Sequence, residues 1–315
     1  MGRAQHGRRG ALTRYARLRP GLDPAAVGVY RRVMPVPGPL VSTQWLADHL
    51  GGEHLVVLDA TVLSVEGGGH VAGDEEFLVH GHVPGAHSAD LLEQFSDPKA
   101  SFSFTRPSRE RFERAAGEHG ISNETTVIVY DTASGQWASR LWWLLRSFGH
   151  DDVAVLDGGL TQWRHEGRQL ETGYTAPAVR TFVAQERPGS WADKHEVEEV
   201  VAGARAGALV CAVPAKEFSG EAPVRRRAGH IPGSVSVPTA TLVDRETRRL
   251  LDPALLAERL EPVARDERVI LYCAAGIAAT EAALALTLLG HTDIAVYDGS
   301  LNEWSADPDA ELTVA

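Results

Sequence analysis

The stretch Val269-Ile270-Leu271-Tyr272-Cys273-Ala274-Ala275-Gly276-Ile277-Ala278-Ala279-Thr280 runs from an unbroken apolar segment, through a loop of small residues, into a helical pattern. Its counterpart earlier in the chain, Val127-Ile128-Val129-Tyr130-Asp131, ends in a carboxylate instead of a thiol. Continuous apolar, β-branched-rich runs between helical patterns read as strands of a parallel sheet covered on both faces. The loop places Cys273 where backbone N–H groups and a helix N-terminus converge, a setting that holds an anion and favours a thiolate. A thiolate cradled in this way is a nucleophile.

The repetition extends outward from this pair. Gly81-His82-Val83-Pro84-Gly85-Ala86 recurs as Gly229-His230-Ile231-Pro232-Gly233-Ser234, and Phe148-Gly149-His150 as Leu289-Gly290-His291. Val155-Leu156-Asp157-Gly158-Gly159-Leu160 recurs as Val296-Tyr297-Asp298-Gly299-Ser300-Leu301, with Trp163 answered by Trp304. His150 to His291 and Asp157 to Asp298 both span 141 positions, whereas His82 to His230 spans 148, so an insertion separates these landmarks. A repeat of this length is two copies of one domain.

The patterns predict strands over 55–59, 126–130 and 153–156 in the first copy, and over 208–212, 269–272 and 294–297 in the second. Predicted helices cover 42–50, with Ser42 as N-cap, 108–118 and 137–148, then 194–204, 253–263, 278–289 and a short one at 300–304. The fold class is therefore α/β, with two tandem domains, each a mostly parallel sheet flanked by helices on both faces. Crossovers should be right-handed, and ligands should bind beyond the carboxyl ends of the strands, where Cys273 and Asp131 both sit. The expected organisation is a basic extension (1–39), a first domain (40–170), a linker wrapped over the surface (171–191) and a second domain (192–312).

The chain has 315 residues, with 43% hydrophobic and 23% charged residues, which suits two ordinary globular domains. No apolar run approaches a membrane span. The net charge of −11 argues against a general nucleic-acid binder. Two cysteines suit a reducing, cytoplasmic setting rather than a disulfide scaffold. Residues 1–33 hold eight arginines and one acid but no apolar core of a signal peptide. The head reads as a basic tail, a transit-like peptide or an early start, with Met34 the expected start and ordered sequence beginning just after it.

These residues resemble the tandem-domain rhodanese family, sulfurtransferases that act on thiosulfate or 3-mercaptopyruvate. The likeness covers about residues 40–310 and rests on both Gly-His-[Val/Ile]-Pro-Gly turns, both Asp-Gly-[Gly/Ser]-Leu-x-x-Trp segments, Arg140-Leu141-Trp142-Trp143 and the Cys-x-x-Gly loop. The resemblance implies that the C-terminal domain carries the catalytic Cys273 and that the N-terminal domain is non-catalytic, as Asp131 in the cysteine position suggests. It implies that Cys273 attacks the outer sulfur of a small donor and becomes a persulfide, which a thiol acceptor or cyanide then discharges. The expected acceptor is a thiol, such as a small thiol or a thioredoxin-like protein. The loop Ala274, Ala275, Gly276, Ile277, Ala278 and Ala279 would hold the persulfide through its backbone N–H groups, and no cofactor or metal is expected. A cysteine phosphatase needs an arginine six positions after its cysteine, and Ala279 stands there.

The chain departs from that family at several places. A cation or serine is usual in the two positions after the cysteine, where Ala274 and Ala275 stand, and Ala278 replaces a hydroxyl. The usual Asp-x-Arg after the domain's first strand is Cys211-Ala212-Val213, and Val213 cannot grip an anionic donor. In the Arg225-Arg226-Arg227 run, Arg227 is the candidate to supply the missing charge, against a solvated surface run. His82 is a second candidate, since the corresponding turn histidine lies near the cleft in some members, against a purely structural turn. Cys211 reads as a resolving thiol or as a small residue filling the space of the absent aspartate, with the filler favoured. His150 and His291 are expected to cap helix ends. These departures leave a second reading open, a catalytically weakened sulfur-binding or regulatory module.

Overall fold

The computed structural model describes residues 35–222, 227–263 and 268–314. The basic head, Met34, Arg225 and Arg226 lie outside the described residues. The N-terminal half comprises β1 (Leu40–Val41), α1 (Thr43–His49), β2 (Leu55–Asp59), β3 (Val62–Ser64), β4 (His70–Ala72), a π turn (Glu76–His80), β5 (Ala86–Ser88), α2 (Arg109–Glu118), β6 (Thr126–Tyr130), α3 (Gln136–Ser147), β7 (Val153–Leu156) and α4 (Gly159–His165). The C-terminal half comprises β8 (Trp191–Ala192), α5 (Lys194–Val201), β9 (Ala208–Cys211), α6 (Ala215–Phe218), β10 (Val235–Ser236), a 3-10 turn (Thr239–Thr241), α7 (Pro253–Arg259), β11 (Val269–Tyr272), α8 (Ala278–Leu288), β12 (Ile294–Tyr297) and α9 (Ser300–Trp304).

The repeat in the sequence is a repeat in topology. One sheet has the order β1-β7-β6-β2-β5 and the other β8-β12-β11-β9-β10, so each strand has a counterpart at the same place. Every neighbouring pair in both sheets is parallel. The centre strands β6 and β11 are buried along their whole length, which is why they carry no alternation of polar and apolar residues. Helix starts follow the capping chemistry: the Ser42 and Ser108 hydroxyls accept from the Trp45 and Arg111 backbone N–H groups.

The predicted strands agree closely, but the edges were missed. The outer strands β1, β5, β8 and β10 are two or three residues long, too short to show a period. Helices α5 and α7 stop at Val201 and Arg259, earlier than expected. The segment 171–191 is more than a surface wrapping. Arg180, Gln185 and Arg187 donate their backbone N–H groups to Gly117 O (2.9 Å), Phe148 O (2.8 Å) and Ser147 O (2.8 Å), and Phe182 is buried against Phe112. The His150 ring is buried and its Nε2 finds no hydrogen-bond partner among the described residues, so it does not use that nitrogen to cap the carbonyls that end α3. A single apolar cluster joins the halves: Trp142 and Trp143 from α3 belong to the same buried core as Leu271 and Leu284.

Candidate active site

Strand β11 delivers Cys273 at its carboxyl end, between β9 and β12, where the side chain is 2% exposed. Its N–H donates to Ser300 Oγ (3.1 Å), and that hydroxyl donates to Tyr297 O (2.8 Å). The loop carbonyls are tied outward. Cys273 O accepts from Leu301 N and Ala274 O from Asn302 N, both at 3.0 Å, and Gly276 O accepts from Arg140 Nη1 at 3.2 Å. In a trans peptide the carbonyl and the following N–H point to opposite sides. A loop whose carbonyls face out turns amides inward, which is the arrangement that binds an anion. Gly276 has φ +72°, and a Cβ there would lie 3.0 Å from Asp298 O and 3.1 Å from Arg140 Nη1. The residue is glycine because the loop closes tightly on both neighbours.

Cys273 opens into a cavity of about 270 Å³ that both halves line. Ala274, Ala275, Ile277 and Ala278 form one side with Ala212, Val213 and Glu217; His70, Phe104, Gln136 and Trp137 come from the N-terminal half. The His70, Phe104 and Trp137 rings contact one another, with centroids 5.2–5.6 Å apart. Of the loop residues singled out from sequence, Gly276 and Ala279 lie behind this wall, facing Asp298 and the core. Val213 stands on the wall, where it presents methyl groups and no charge.

Arg227 and His82 are placed elsewhere. The Arg227 guanidinium donates to Asp307 O and Ala310 O, both at 2.6 Å, and so fastens the C-terminal segment rather than facing the cavity. The His82 ring stacks on Phe77 at 3.7 Å, and its Nδ1 bonds Phe77 O at 3.0 Å. His230 does the same with Phe218, at 3.6 Å and 2.9 Å. The two turn histidines are a matched structural device. Cys211 pairs with Tyr272 across the sheet, so its thiol shares the Tyr272 face, and Cys273, one residue on, points to the other face. Cys211 therefore sits as a buried filler beside Tyr272, where its counterpart Asp59 sits beside Tyr130.

The N-terminal half contains the same loop already filled. Asp131 Oδ1 accepts from the Ala133 and Gly135 N–H groups (2.8 and 3.0 Å), and Oδ2 from those of Trp137 and Ala138 (2.9 and 3.0 Å). Burial pushes this carboxyl up from its ordinary range, and the four amides pull the other way. Two groups that the sequence did not mark as functional cross between the halves. Arg140, from α3, reaches Gly276 O, Phe104 O and Asp298, and Glu281, from α8, lies beside Gly135. Glu281 is fully buried, its Oε1 has no hydrogen-bond partner among the described residues, and burial raises its carboxyl well above the usual range.

The Rhodanese-like domain family matches this chain twice, over residues 42–166 and 205–307. A thiosulfate sulfurtransferase from Gallus gallus is 33% identical over 87% of this chain and 96% of its own length. A 3-mercaptopyruvate sulfurtransferase from Escherichia coli is 32% identical over 85% of this chain and 95% of its own. The crystal structure of SseA from Escherichia coli superposes with a TM-score of 0.74 at 30% identity, covering 84% of this chain and 98% of that one. With two matched domains and relatives of this kind along nearly its whole described length, the chain belongs to the rhodanese family as a tandem-domain sulfurtransferase.

Proposed function

We propose that Cys273 is the residue that carries the sulfur. Its thiolate attacks the outer sulfur of a small donor and forms the S–S bond of a persulfide, while the donor's bond to that sulfur breaks and releases sulfite from thiosulfate, or from 3-mercaptopyruvate the enolate of pyruvate, which takes up a proton from solvent. An acceptor thiolate then takes the outer sulfur as its own persulfide and restores the Cys273 thiolate. The supporting observation is the loop itself, with carbonyls held outward by Leu301, Asn302 and Arg140, which leaves amides from Ala274 to Ala279 to the sulfur. The N-terminus of α8, eleven residues long, adds its dipole. The apolar wall at Val213, Ala274 and Ala275 tilts the donor from thiosulfate, a dianion, toward 3-mercaptopyruvate. The acceptor is a small thiol or a thioredoxin-like protein, and the setting is a reducing one such as the cytoplasm; no described helix is long and apolar enough to cross a membrane.

The same wall favours a second reading, a module that retains the persulfide loop but captures donors poorly. Intact mass spectrometry after exposure to each donor, without acceptor, separates them. The first reading expects a gain of one sulfur in the parent and none in Cys273→Ser. A gain that survives in Cys273→Ser would sink it, and no gain from either donor would favour the weakened module.

A further inference from the structure

The N-terminal half has no sulfur-carrying residue in its loop, yet one of its side chains is built into the loop of the other half. Arg140 is 1% exposed and rises from α3 into the interface. Its Nη1 donates to Gly276 O, its Nη2 to Phe104 O (2.5 Å) and to Asp298 Oδ1 (2.7 Å), and its guanidinium lies over the Trp191 ring at 4.8 Å. The corresponding carbonyl in the N-terminal half, Gly135 O, is satisfied by its own helix through Ser139 N. Gly276 O lacks that bond, because Thr280 N turns to Ile277 O instead. The position matching Arg140 in the C-terminal half is Glu281, a carboxyl that offers no such cation. The arginine stands only on the side where it can reach the cysteine loop.

We infer that Arg140 is a positioning residue for sulfur transfer: by holding the Gly276 carbonyl away from the cavity, it fixes the following N–H toward the Cys273 sulfur. Asp298 orients the guanidinium, and Arg106 N in turn donates to Asp298 Oδ2 at 2.7 Å, so the anchor is made by both halves. This inference rests on Cys273 being the sulfur carrier, but it is tested without sulfur transfer. The rate at which iodoacetamide alkylates Cys273, read by peptide mapping, reports how well the loop holds the thiolate.

Arg140→Met should slow alkylation about tenfold near neutral pH, the size expected for losing one hydrogen bond to a charged group, and leave the rate near pH 10 unchanged. The kcat for sulfur uptake should fall by a similar factor with a smaller change in KM, and Arg140→Lys should recover part of both. Removing a guanidinium beside a largely shielded acid can prevent folding. The pair Arg140→Met with Asp298→Asn removes the orphaned charge and should show the same alkylation change. Alkylation that follows the parent at every pH in a folded variant would overturn the inference. A parent that takes up no sulfur would instead overturn the persulfide reading, and the alkylation profile would still decide the role of Arg140.

Discussion

The two loops at the carboxyl ends of β6 and β11 occupy matching places in their sheets and differ in what fills them. In the N-terminal half the chain supplies its own anion, the Asp131 carboxylate, which satisfies four amides at once. In the C-terminal half the residue at that place is a thiol, and in the proposed mechanism the amides would serve the sulfur that Cys273 carries. The difference teaches that a loop of this kind can close on a side-chain anion of its own chain. The amides still need an acceptor, and aspartate provides a permanent one.

The comparison can be broken most severely at Asp131. Asp131→Ala should lower the unfolding free energy by on the order of 4 kcal/mol in urea, because several buried N–H groups lose their acceptor together. A loss below about 1 kcal/mol would mean that the loop does not need its anion.

Gly159 and Ser300 occupy matching places, with φ +52° and +50°. A Cβ on Gly159 would lie 2.3 Å from Asp131 O, so Gly159→Ala should cost about 3 kcal/mol in the same measurement. Ser300 endures that backbone because its hydroxyl joins Cys273 N to Tyr297 O. Ser300→Ala keeps the strain and loses the bond, so it should be less stable than Ser300→Gly by roughly 0.5–1 kcal/mol. The reverse order would remove the hydroxyl from the account of this site.

Glu281 sharpens the comparison through pH. Its folded carboxyl titrates well above 4.5, so the folded protein keeps a proton that the unfolded chain has released. Stability is then full below pH 4.5 and is lost as pH rises through that window, by about 1.4 kcal/mol per pH unit. Asp59, raised to about 6 by burial, acts in the same direction but is spent once the pH passes its folded value. Glu281→Gln should therefore flatten part of the decline that begins above pH 4.5, read from urea midpoints. A parent whose stability is flat there would contradict the burial argument.

A small effect belongs to Cys211. Cys211→Ala should cost about 1 kcal/mol and leave sulfur uptake unchanged, since its thiol lies on the sheet face opposite Cys273. Loss of uptake would restore it as a resolving thiol.

Strands such as 126–130 and 269–272 were legible because burial on both faces demands an unbroken apolar run, and the loop was legible because small residues surround one cysteine. The interface was not. Asp157 and Asp298 are conspicuous in the repeated Asp-Gly segments, but nothing local says that Asp157 meets Arg249 (2.7 Å) and Leu250 N (3.0 Å) while Asp298 meets Arg140 and Arg106 N. Long-range docking leaves no periodic trace. One signal was available: Glu281 is the lone charge in α8, which is buried from Ala279 to Leu286, and Arg140 holds the matching place in α3. Glu217 carried no signal at all, because α6 is a single turn whose position at the cavity depends on how the sheets meet.

The crossing of Arg140 and Glu281 also bears on how the protein comes apart. Separating the halves would uncover a guanidinium, a neutral carboxyl and the shared tryptophan core together. Heating should therefore melt the molecule in a single cooperative transition, and a chain cleaved between its halves should survive only as a tightly associated pair.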